Sequence, residues 1–384
     1  MTSLARPTLS AALEGCSIVI AVDRRSSELA AALERHGAQV RHAPALTIVP
    51  HVDDETLLDA TRALVADPPD VVVATTGVGF RGWVEAAEEA GLGDELLEAL
   101  ATAQIVARGP KARGAIQQAG LTADWVAESE TSAELGEFLL AEGVAGRRVA
   151  VQHHGSGADG LDELLTDAGA DVVSLTVYRW GPPADPVAVS RSVLATAAGE
   201  VDAVLFTSAP GAAEWLAAAS REGVLDEVRQ QVALGRVLMA AVGPITATPL
   251  RDAGLEPLIA ERGRLGSLVR GVVTHFGGGR APSLPTSAGR LELRSTGAVI
   301  DGSFTPLSRT GVAVLGALFD AGGGVVSRRD LQCALPRSSA NAHAVEVAVA
   351  RIREALAAPG IIRTVVKRGY RLDVLDVDDL EEAS

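Results

Sequence analysis

The sequence is poor in cysteine and has no long apolar run. Cys16 and Cys333 are its only cysteines and lie far apart, which argues against a disulfide framework and a zinc site. No uninterrupted apolar stretch reaches the roughly 18 residues of a membrane-spanning helix. The first ten residues lack a charged segment followed by an apolar core. We therefore expect no signal peptide and a cytoplasmic location.

What the sequence does have is a large apolar fraction and an uneven distribution of charge. Hydrophobic residues make up 47% of the 384 residues, which is incompatible with general disorder. The net charge is −15, yet residues 289–374 hold twelve arginines and lysines against seven carboxylates, a net charge of +5. A basic module on an acidic body indicates that the module alone binds nucleic acid. An ordinary charge fluctuation in an arginine-rich chain is the alternative.

The basic module ends in a pattern typical of nucleic-acid recognition. Apolar residues recur along 345–356 at the spacing of one α-helical stripe, and Arg351 and Arg353 fall at or beside the outward face. After a Pro-Gly break, two β-rich segments flank Lys367 and Arg368, which predicts a tight basic hairpin. A cationic helix can contact base edges in the major groove of DNA, and a basic hairpin after it can contact phosphates or the minor groove as a wing.

The preceding residues alternate between buried-strand patterns and helical patterns. This alternation predicts an α/β fold with parallel sheets. The predicted strands are 17–22, 39–40, 70–75, 104–107, 148–151, 171–177, 202–206 and 239–242. The two halves also repeat, because Thr75-Thr76 and Thr207-Ser208 occupy equivalent positions before a helix. A duplicated unit predicts two similar lobes with a cleft between them, where ligands bind at the carboxyl ends of strands.

The Gly-, Pro- and Ser-rich residues 277–288 predict a linker that is flexible and then semi-rigid. This boundary divides the chain into a body (1–276), the linker, the basic module (289–374) and an acidic tail (375–384). A solvated terminus is the expected role of the tail, and masking of the basic module is the alternative.

Strand-to-helix turns of the body carry small hydroxyls, backbone amides and cations. The turn 155–160 fits G-x-G-x-x-G, but the next strand does not end in the acidic residue of a dinucleotide site, which favours a simple anion seat. His153-His154 have no second ligand cluster, so no metal site is predicted. The candidate ligand-binding residues are Arg24, Thr76, Lys111, Ser156 and Ser208. Helix capping is the alternative for these turns, and any catalysis would act by positioning a reactive substrate.

The order of motifs over residues 15–276 resembles the uroporphyrinogen-III synthase family. The matching features are the duplicated lobes, Thr75-Thr76, the turn 155–160, Val177-Tyr178-Arg179, Phe206-Thr207-Ser208 and the segment 241–246. The resemblance implies two Rossmann-like lobes joined by a two-stranded connector. Their expected bounds are about 1–43 with 181–276 for one lobe, 48–176 for the other, and 45–49 with 175–179 for the connector.

This family cyclises hydroxymethylbilane to uroporphyrinogen III, with loss of water and without a cofactor. The resemblance implies that Tyr178 is a catalytic residue that assists hydroxyl departure and that Thr246 is a second one. The chain departs from the family pattern at two loops. Arg24 lies where Thr-Arg-Pro is usual, and Lys111 replaces a loop threonine.

Residues 289–373 resemble the winged-helix effector domain of the OmpR/PhoB type, with the recognition helix over 345–356 and the wing over 363–372. The resemblance implies that Val347 and Arg351 face base edges. The residues expected near phosphates or in the wing are Arg328, His343, Arg353, Lys367 and Arg368. Val366 occupies a wing position where an arginine is common.

Two functions follow from these resemblances. The first is a transcriptional regulator whose synthase-like body senses a ligand or partner, similar to actinobacterial fusions of which some regulate nitrate and nitrite assimilation. The second is an active synthase that carries a DNA-binding domain, favoured by Tyr178 and Thr246. The implied partners are double-stranded DNA, a tetrapyrrole or other small anionic ligand, and another transcription factor. No cofactor, metal or membrane partner is expected.

Overall fold

The computed structural model describes residues 11–23, 25–50, 55–153, 159–335 and 342–375. The chain divides into two compact units, of which unit 1 contains Met1–Leu46 and Pro183–Ser384 and unit 2 contains Thr47–Pro182. Within unit 1 we call the part before residue 283 lobe A and residues 283–375 the C-terminal domain. Unit 2 is lobe B. Among the described residues, no helix has both the length and the apolar character needed to cross a membrane.

The elements follow one another in a regular alternation through both lobes. The strands are β1 (Ser17–Ile20), β2 (Gln39–His42), β3 (Thr47–Pro50), β4 (Val71–Ala74), β5 (Gln104–Ala107), β6 (Trp125–Val126), β7 (Arg148–His153), β8 (Asp171–Thr176), β9 (Tyr178–Gly181), β10 (Ala203–Phe206), β11 (Leu238–Ala241), β12 (Leu258–Ile259), β13 (Ser283–Thr286), β14 (Gly289–Arg294), β15 (Gly297–Ile300), β16 (Ser303–Pro306), β17 (Ile362–Val365) and β18 (Gly369–Leu372). The helices are α1 (Ser26–Glu34), α2 (Glu55–Ala66), α3 (Gly77–Glu89), α4 (Gly93–Ala101), α5 (Pro110–Gln118), α6 (Ser132–Glu142), α7 (Leu161–Asp167), α8 (Pro186–Ala197), α9 (Ala209–Arg221), α10 (Leu225–Ala233), α11 (Pro244–Asp252), α12 (Leu265–Gly277), α13 (Arg309–Asp320), α14 (Arg328–Ala334) and α15 (Ala342–Ala355).

Each lobe is built on a five-stranded parallel sheet, and the two sheets have the same topology. Lobe A has the order β12-β11-β10-β1-β2, and lobe B has the order β6-β5-β4-β7-β8. The central strands β10 and β4 are completely buried, because helices cover both faces of a parallel sheet. The predicted α/β fold is confirmed, and each predicted strand is present. The short edge strands β6 and β12 were not predicted, since two residues carry no recognisable pattern.

The duplication extends to one buried hydrogen bond in each lobe. In lobe B the indole N–H of Trp83 donates to Thr61 Oγ1 at 3.0 Å, and in lobe A that of Trp215 donates to Ser192 Oγ at 2.9 Å. A buried indole N–H that lacks an acceptor is costly, so each bond holds the helix after the central strand against the helix before it. The helices joined in this way are α3 with α2 and α9 with α8.

The predicted two-stranded connector is present as the antiparallel pair β3 and β9. Its second strand begins at Tyr178, three residues after the expected start, because Asp171–Thr176 already forms β8 in the sheet of lobe B. Tyr178 is paired with Pro50 in the register of these two strands.

The C-terminal domain contains a four-stranded antiparallel sheet in the order β13-β14-β15-β16, three helices and the hairpin β17-β18. Its core includes the predicted stripe of α15, in which Val345, Val349 and Ile352 are at most 1% exposed. Burying each of these side chains contributes about 1.5–3 kcal/mol relative to exposure. The predicted amphipathic helix is confirmed.

The structure differs from the prediction over the linker 277–288. The segment Ser283–Thr286 forms β13 and pairs with β14, so it belongs to the C-terminal domain. Pro285 is tolerated because β13 is an edge strand, where the missing N–H removes no ladder hydrogen bond. At the other end, α12 extends to Gly277. The Gly-Pro-Ser composition therefore overstated the length of flexible chain.

Asp202 joins the C-terminal domain to lobe A. It is 3% exposed, and its Oδ2 accepts the backbone N–H of Ser17 at 2.7 Å. From the C-terminal domain, the N–H of Ser295 donates to Asp202 Oδ1 at 2.8 Å, and the Ser295 hydroxyl donates to Oδ2. Burial raises the pKa of Asp202 to about 6, although the hydrogen bonds from Ser295 and Ser17 and the charge of Arg294 act in the opposite direction.

Two arginines extend this junction on either side of Asp202. The guanidinium of Arg294 is 3% exposed, lies 4.8 Å from the ring centroid of Phe276 and donates to the Phe276 carbonyl at 3.1 Å. Arg236 of lobe A donates to the Gly316 carbonyl at 2.6 Å and pairs with Asp320 at 2.7 Å. The C-terminal domain is thus also joined to lobe A by two arginines. Arg294 donates from the domain to lobe A, and Arg236 donates from lobe A to the domain.

The raised pKa of Asp202 predicts a specific pH dependence of stability. Relative to the ordinary value of 3.8, the folded protein binds this proton more tightly. The resulting stabilisation is complete below pH about 4 and is lost as pH rises through about 6. We expect the free energy of unfolding of the wild type, measured in urea, to fall relative to that of Asp202→Asn by on the order of 2 kcal/mol across this range. Parallel pH profiles for the two proteins would contradict the assignment.

Candidate nucleic-acid interface and ligand-binding loops

The outward side of α15 carries the residues predicted to face DNA. His343 and Arg351 are exposed, and Val347 is half-buried. The helix is held by its buried stripe, so these side chains are presented from a fixed backbone. An exposed guanidinium beside a small apolar side chain can bind guanine N7 and O6 and contact a thymine methyl group.

Arg353, which is predicted to lie near phosphates, makes hydrogen bonds within the C-terminal domain. Its guanidinium Nε and Nη2 donate to the Ile362 carbonyl at 3.0 and 2.5 Å, and Nη2 also donates to Thr364 Oγ1 at 3.1 Å. These bonds use three of the five N–H donors of the guanidinium, and the two donors on Nη1 are not among them. Arg353 ties the recognition helix to the first strand of the hairpin, which sets the position of the wing.

Arg328 lies where α14, α15 and the wing meet. Its guanidinium carbon is 5.5 Å from the ring centroid of Tyr370 in β18, and its Nε is 3.6 Å from Glu346 on α15. The side chain keeps 46% of its surface exposed. Stacking on the ring orients the cation while leaving donors available, as a phosphate contact requires.

The tip of the hairpin presents Val366, Lys367 and Arg368, all of them exposed. Lys367 has a positive φ of 59°, and the N–H of Arg368 donates to the Val365 carbonyl at 3.0 Å, which closes the turn. Gly369 is required next to this turn, because a Cβ atom there would lie 2.0 Å from the Val326 carbonyl oxygen. The two cations therefore project from a turn that is anchored on the body of the domain.

In lobe B, the candidate Thr76 is the N-cap of α3, where its Oγ1 accepts the Gly79 N–H at 3.0 Å. Capping uses an oxygen lone pair and leaves the hydroxyl hydrogen as a donor. The neighbouring Lys111 is exposed on α5. A Cβ atom on Gly77 would lie 2.3 Å from the Lys111 carbonyl oxygen, so the amino-terminal turns of α3 and α5 are close together. The partial positive charge and free N–H groups of two adjacent helix amino termini favour the binding of an anion.

Arg108 and Tyr178 both follow strands of the lobe B sheet at its carboxyl end. Arg108 directly follows β5 and is half-buried. Burial lowers the pKa of its guanidinium, while the charges of Asp159, Tyr178 and Glu130 raise it. The predicted catalytic residue Tyr178 is 6% exposed, and its ring contacts Trp180 edge-on with centroids 5.9 Å apart. Arg108 was absent from the predicted ligand-binding residues, although its place after a buried strand was a usable signal.

Lobe A repeats this arrangement of loops at the carboxyl ends of its strands. Ser208 caps α9, and its Oγ accepts the Gly211 N–H at 3.2 Å. Thr246, the second predicted catalytic residue, lies in the first turn of α11 and is 6% exposed. Thr76, Lys111 and Tyr178 belong to lobe B, whereas Ser208 and Thr246 belong to lobe A. The candidates Arg24 and Ser156 lie outside the described residues.

A polar cluster around the buried His153 of lobe B was not predicted. His153 Nε2 lies 2.8 Å from Asp162 Oδ2, and the Ser174 hydroxyl donates to the same oxygen at 2.8 Å. Burial acts to raise the pKa of Asp162, but the hydrogen bonds from His153 and Ser174 outweigh it and lower the pKa. The three residues lie on β7, α7 and β8, so no local sequence pattern joins them. Among the described residues, no group of three or more His, Cys, Asp or Glu could hold a metal ion.

The contacts of Arg353 predict that it stabilises the C-terminal domain. Arg353→Ala leaves the Ile362 carbonyl without its side-chain donor and should lower the free energy of unfolding by about 1–3 kcal/mol. Arg351→Ala, which removes an exposed arginine from the same helix, should change it by no more than about 0.5 kcal/mol. Urea unfolding of the two variants makes the comparison. Equal stability of both variants would show that the wing is positioned without Arg353.

Comparison with known proteins identifies the two parts of the chain. The family model for uroporphyrinogen-III synthase HemD matches residues 27–270, and that for the C-terminal part of transcriptional regulatory proteins matches residues 302–372. The chain is 31% identical to the uncharacterised protein YjjA of Bacillus subtilis over 67% of this chain and 94% of that protein. It is 29% identical to a putative uroporphyrinogen-III synthase of Methanothermobacter thermautotrophicus, over 66% and 95% of the two chains.

A solved structure gives the same result for the body. A mutant uroporphyrinogen III synthase from the extremely thermophilic bacterium Thermus thermophilus superposes with a TM-score of 0.55 at 31% identity, covering 67% of this chain and 97% of that one. The synthase resemblance predicted for the body is confirmed, as is the OmpR/PhoB-type resemblance of the basic module. The chain belongs to the uroporphyrinogen-III synthase family and carries, after its synthase-like lobes, an OmpR/PhoB-type DNA-binding domain.

Proposed function

We propose that the protein is a transcriptional regulator whose synthase-like lobes bind an anionic ligand and whose C-terminal domain binds double-stranded DNA. The fusion of the two domains is the observation that carries this proposal. The exposed outward face of α15 supports it, because a recognition helix needs free side chains to enter the major groove. Such a protein acts where its DNA is, in the cytoplasm.

Residues of three elements support sequence readout and phosphate binding. Arg351 and Val347 on α15 would contact base edges, with Arg351 bidentate to guanine. Arg328, Lys367 and Arg368 would contact phosphates and fix the register of the helix on the duplex. The net charge of +5 over residues 289–374 supplies the attraction to DNA that the acidic remainder of the chain does not.

The DNA contacts can be tested on a duplex that the wild-type protein selects from a random-sequence pool. Arg351→Ala should weaken binding to that duplex by about 1–3 kcal/mol and relax the preference at one base pair. Lys367→Ala is the matched comparison, since loss of a phosphate contact should weaken all sequences alike and reduce the salt slope by about 1. Fluorescence anisotropy at several salt concentrations measures both effects. An unchanged sequence preference in Arg351→Ala would remove this residue from base readout.

The target genes and partners follow from the same selection. Genes of nitrate and nitrite assimilation are the first candidates, because the chain resembles fusions that regulate them, and the selected sequence can be compared with their promoters. Another transcription factor is a candidate partner at those promoters.

The ligand that the loops favour is a small polycarboxylate such as a tetrapyrrole. The loops at the carboxyl ends of both sheets offer capping hydroxyls at Thr76 and Ser208 and helix amino termini. Arg108 adds a half-buried cation that stays charged despite its lowered pKa, because an arginine remains protonated in proteins. Such groups bind carboxylates by charge-assisted hydrogen bonds.

Retained synthase activity is the second candidate function. Family membership and the burial of Tyr178 favour it. A coupled assay with freshly generated hydroxymethylbilane distinguishes the two functions. Formation of uroporphyrinogen III would establish the enzyme, whereas the isomer I alone at an excess of protein would leave ligand sensing as the role of the lobes.

Ligand binding by Arg108 is tested with uroporphyrinogen III, kept reduced, as the probe. Arg108→Ala should weaken its binding at least about tenfold, because a charge-assisted hydrogen bond is lost. Arg62→Ala is the matched control, since Arg62 lies on the surface of the same lobe and pairs with Asp59 one helical turn away. Quenching of tryptophan fluorescence reports the affinity. Equal affinity of the two variants would exclude Arg108 from the ligand site.

A further inference from the structure

The DNA-binding domain is docked at one particular end of the lobe A sheet. Ser17 begins β1, Asp202 immediately precedes β10, and Arg236 lies two residues before β11. The Ser17 N–H binds the Asp202 carboxylate, and Asp202 and Arg236 bind the DNA-binding domain directly. All three therefore mark the amino ends of adjacent parallel strands.

The candidate ligand loops lie at the opposite end of the same strands. Asp202 and Ser208 bracket β10, and Thr246 follows β11. Six residues of extended chain span about 20 Å, so the docked domain is separated from the ligand loops by the length of the sheet. Docking at the amino ends leaves the carboxyl ends of lobe A, where parallel sheets bind ligands, uncovered by the domain.

Comparison of the two lobes shows that this end of lobe A is adapted to the domain. Asp70 is the counterpart of Asp202 in lobe B, and its Oδ2 accepts the N–H of Arg148 at 2.7 Å, just as Asp202 accepts that of Ser17. Asp70 is exposed, whereas Asp202 is buried by Ser295. Both lobes thus have a hydrogen bond from the first N–H of a strand to the aspartate that precedes the neighbouring strand. In lobe A this aspartate also binds the DNA-binding domain.

A close apolar approach completes the docking contact. The ring of Phe304 lies against Gly15, where an added Cβ would be 2.1 Å from the ring, and the φ of Gly15 is +80°. Beside it, the Thr296 hydroxyl donates to the Gly15 carbonyl at 2.7 Å. Only glycine suits this position, so the backbone of lobe A itself is shaped for contact with the domain.

The docking side of the domain differs from its DNA side. The contacts with lobe A come from β14 and the β14–β15 turn, from Phe304 of β16, and from α13, where Arg309 pairs with Glu200. The candidate DNA contacts come from α14, α15 and the wing. Within the described residues, no hydrogen bond or ion pair joins His343, Arg351 or the wing tip to lobe A.

We propose that the amino ends of the lobe A strands are a docking surface for the DNA-binding domain and that the domain binds DNA while docked, which depends on the DNA binding proposed above. Lobe A and the domain then meet DNA as one body. A ligand at the carboxyl ends can reorient the domain only by moving the strands that carry Ser17, Asp202 and Arg236. Docking in this arrangement transmits a signal and does not mask the recognition helix.

Hydrogen exchange at the Ser295 amide reports docking directly, because this N–H donates to Asp202 across the junction. The full-length wild type is measured by mass spectrometry alone and with the duplex selected as above. The undocking variant is Asp202→Asn with Arg236→Ala. Its matched control is Asp70→Asn with Arg229→Ala, since Arg229 also binds a carbonyl and a carboxylate, but within lobe A.

The expected results separate docking from masking. Exchange at Ser295 should stay within about threefold when the wild type binds the duplex, and it should be at least about tenfold faster in the undocking variant than in the control. DNA affinity of the undocking variant should remain within about threefold of the wild type, because the lost contacts lie away from the DNA side. Protection along α15 in each variant confirms that the domain is folded.

Three outcomes would overturn the proposal. Faster exchange at Ser295 on DNA binding would mean that the domain leaves lobe A to bind. Tighter DNA binding by the undocking variant, by about tenfold or more, would mean that lobe A masks the recognition helix. Equal exchange in the undocking variant and its control would mean that Asp202 and Arg236 do not hold the domain. Absence of any selected duplex would refute the DNA-binding function itself, while protection at Ser295 would still report docking.

Discussion

The buried carboxylate of Asp202 is the constraint on which the arrangement of unit 1 depends. A carboxylate removed from water needs hydrogen-bond donors on its oxygens, and here lobe A supplies the N–H of Ser17 and the DNA-binding domain supplies two donors from Ser295. Without the domain, this carboxylate would face water as Asp70 does in lobe B. The domain therefore has one favourable register on lobe A, because a shifted position would leave the charge buried and unpaired.

The two ends of the parallel sheet in lobe A suit different kinds of contact. Helices that follow the strands direct their N–H groups towards the carboxyl ends, which suits anionic ligands. The amino ends carry short turns and the strand-start carboxylates, which suit contact with a second domain. In lobe A the candidate ligand loop and the docked domain lie at opposite ends of one strand, since Ser208 and Asp202 bracket β10. A DNA-binding domain can thus be added to the fold of the synthase family without covering the ligand end of this lobe.

How much of the fold could be predicted from the sequence depends on how far apart in the sequence the interacting residues lie. Apolar runs such as 71–74 and 203–206 predicted the central strands, because burial on both faces leaves a continuous apolar pattern. The stripe of α15 was predicted for a similar reason. The edge strand β13 was missed, because Pro285 disfavours a strand in isolation and only its place at the edge of a sheet permits one.

The candidate sites show the same division. The positions of Thr76 and Ser208 as helix caps were predictable, since a capping residue precedes its helix in the sequence. The contacts of Arg353 were not, because its charge and position looked equally suited to several contacts. Only the folded chain shows that Arg353 binds the wing.

The sequence by itself determined the alternation of strands and helices, the duplication of the lobes, the charge of the DNA-binding domain and the outward face of its recognition helix. Each of these is written in residues a few positions apart, where backbone periodicity decides which side chains share a face. The tertiary structure alone decided the docking of the domain. Its central hydrogen bond joins Asp202 to Ser295, 93 residues later, and no local spacing encodes a contact that forms only when lobe A and the domain have both folded.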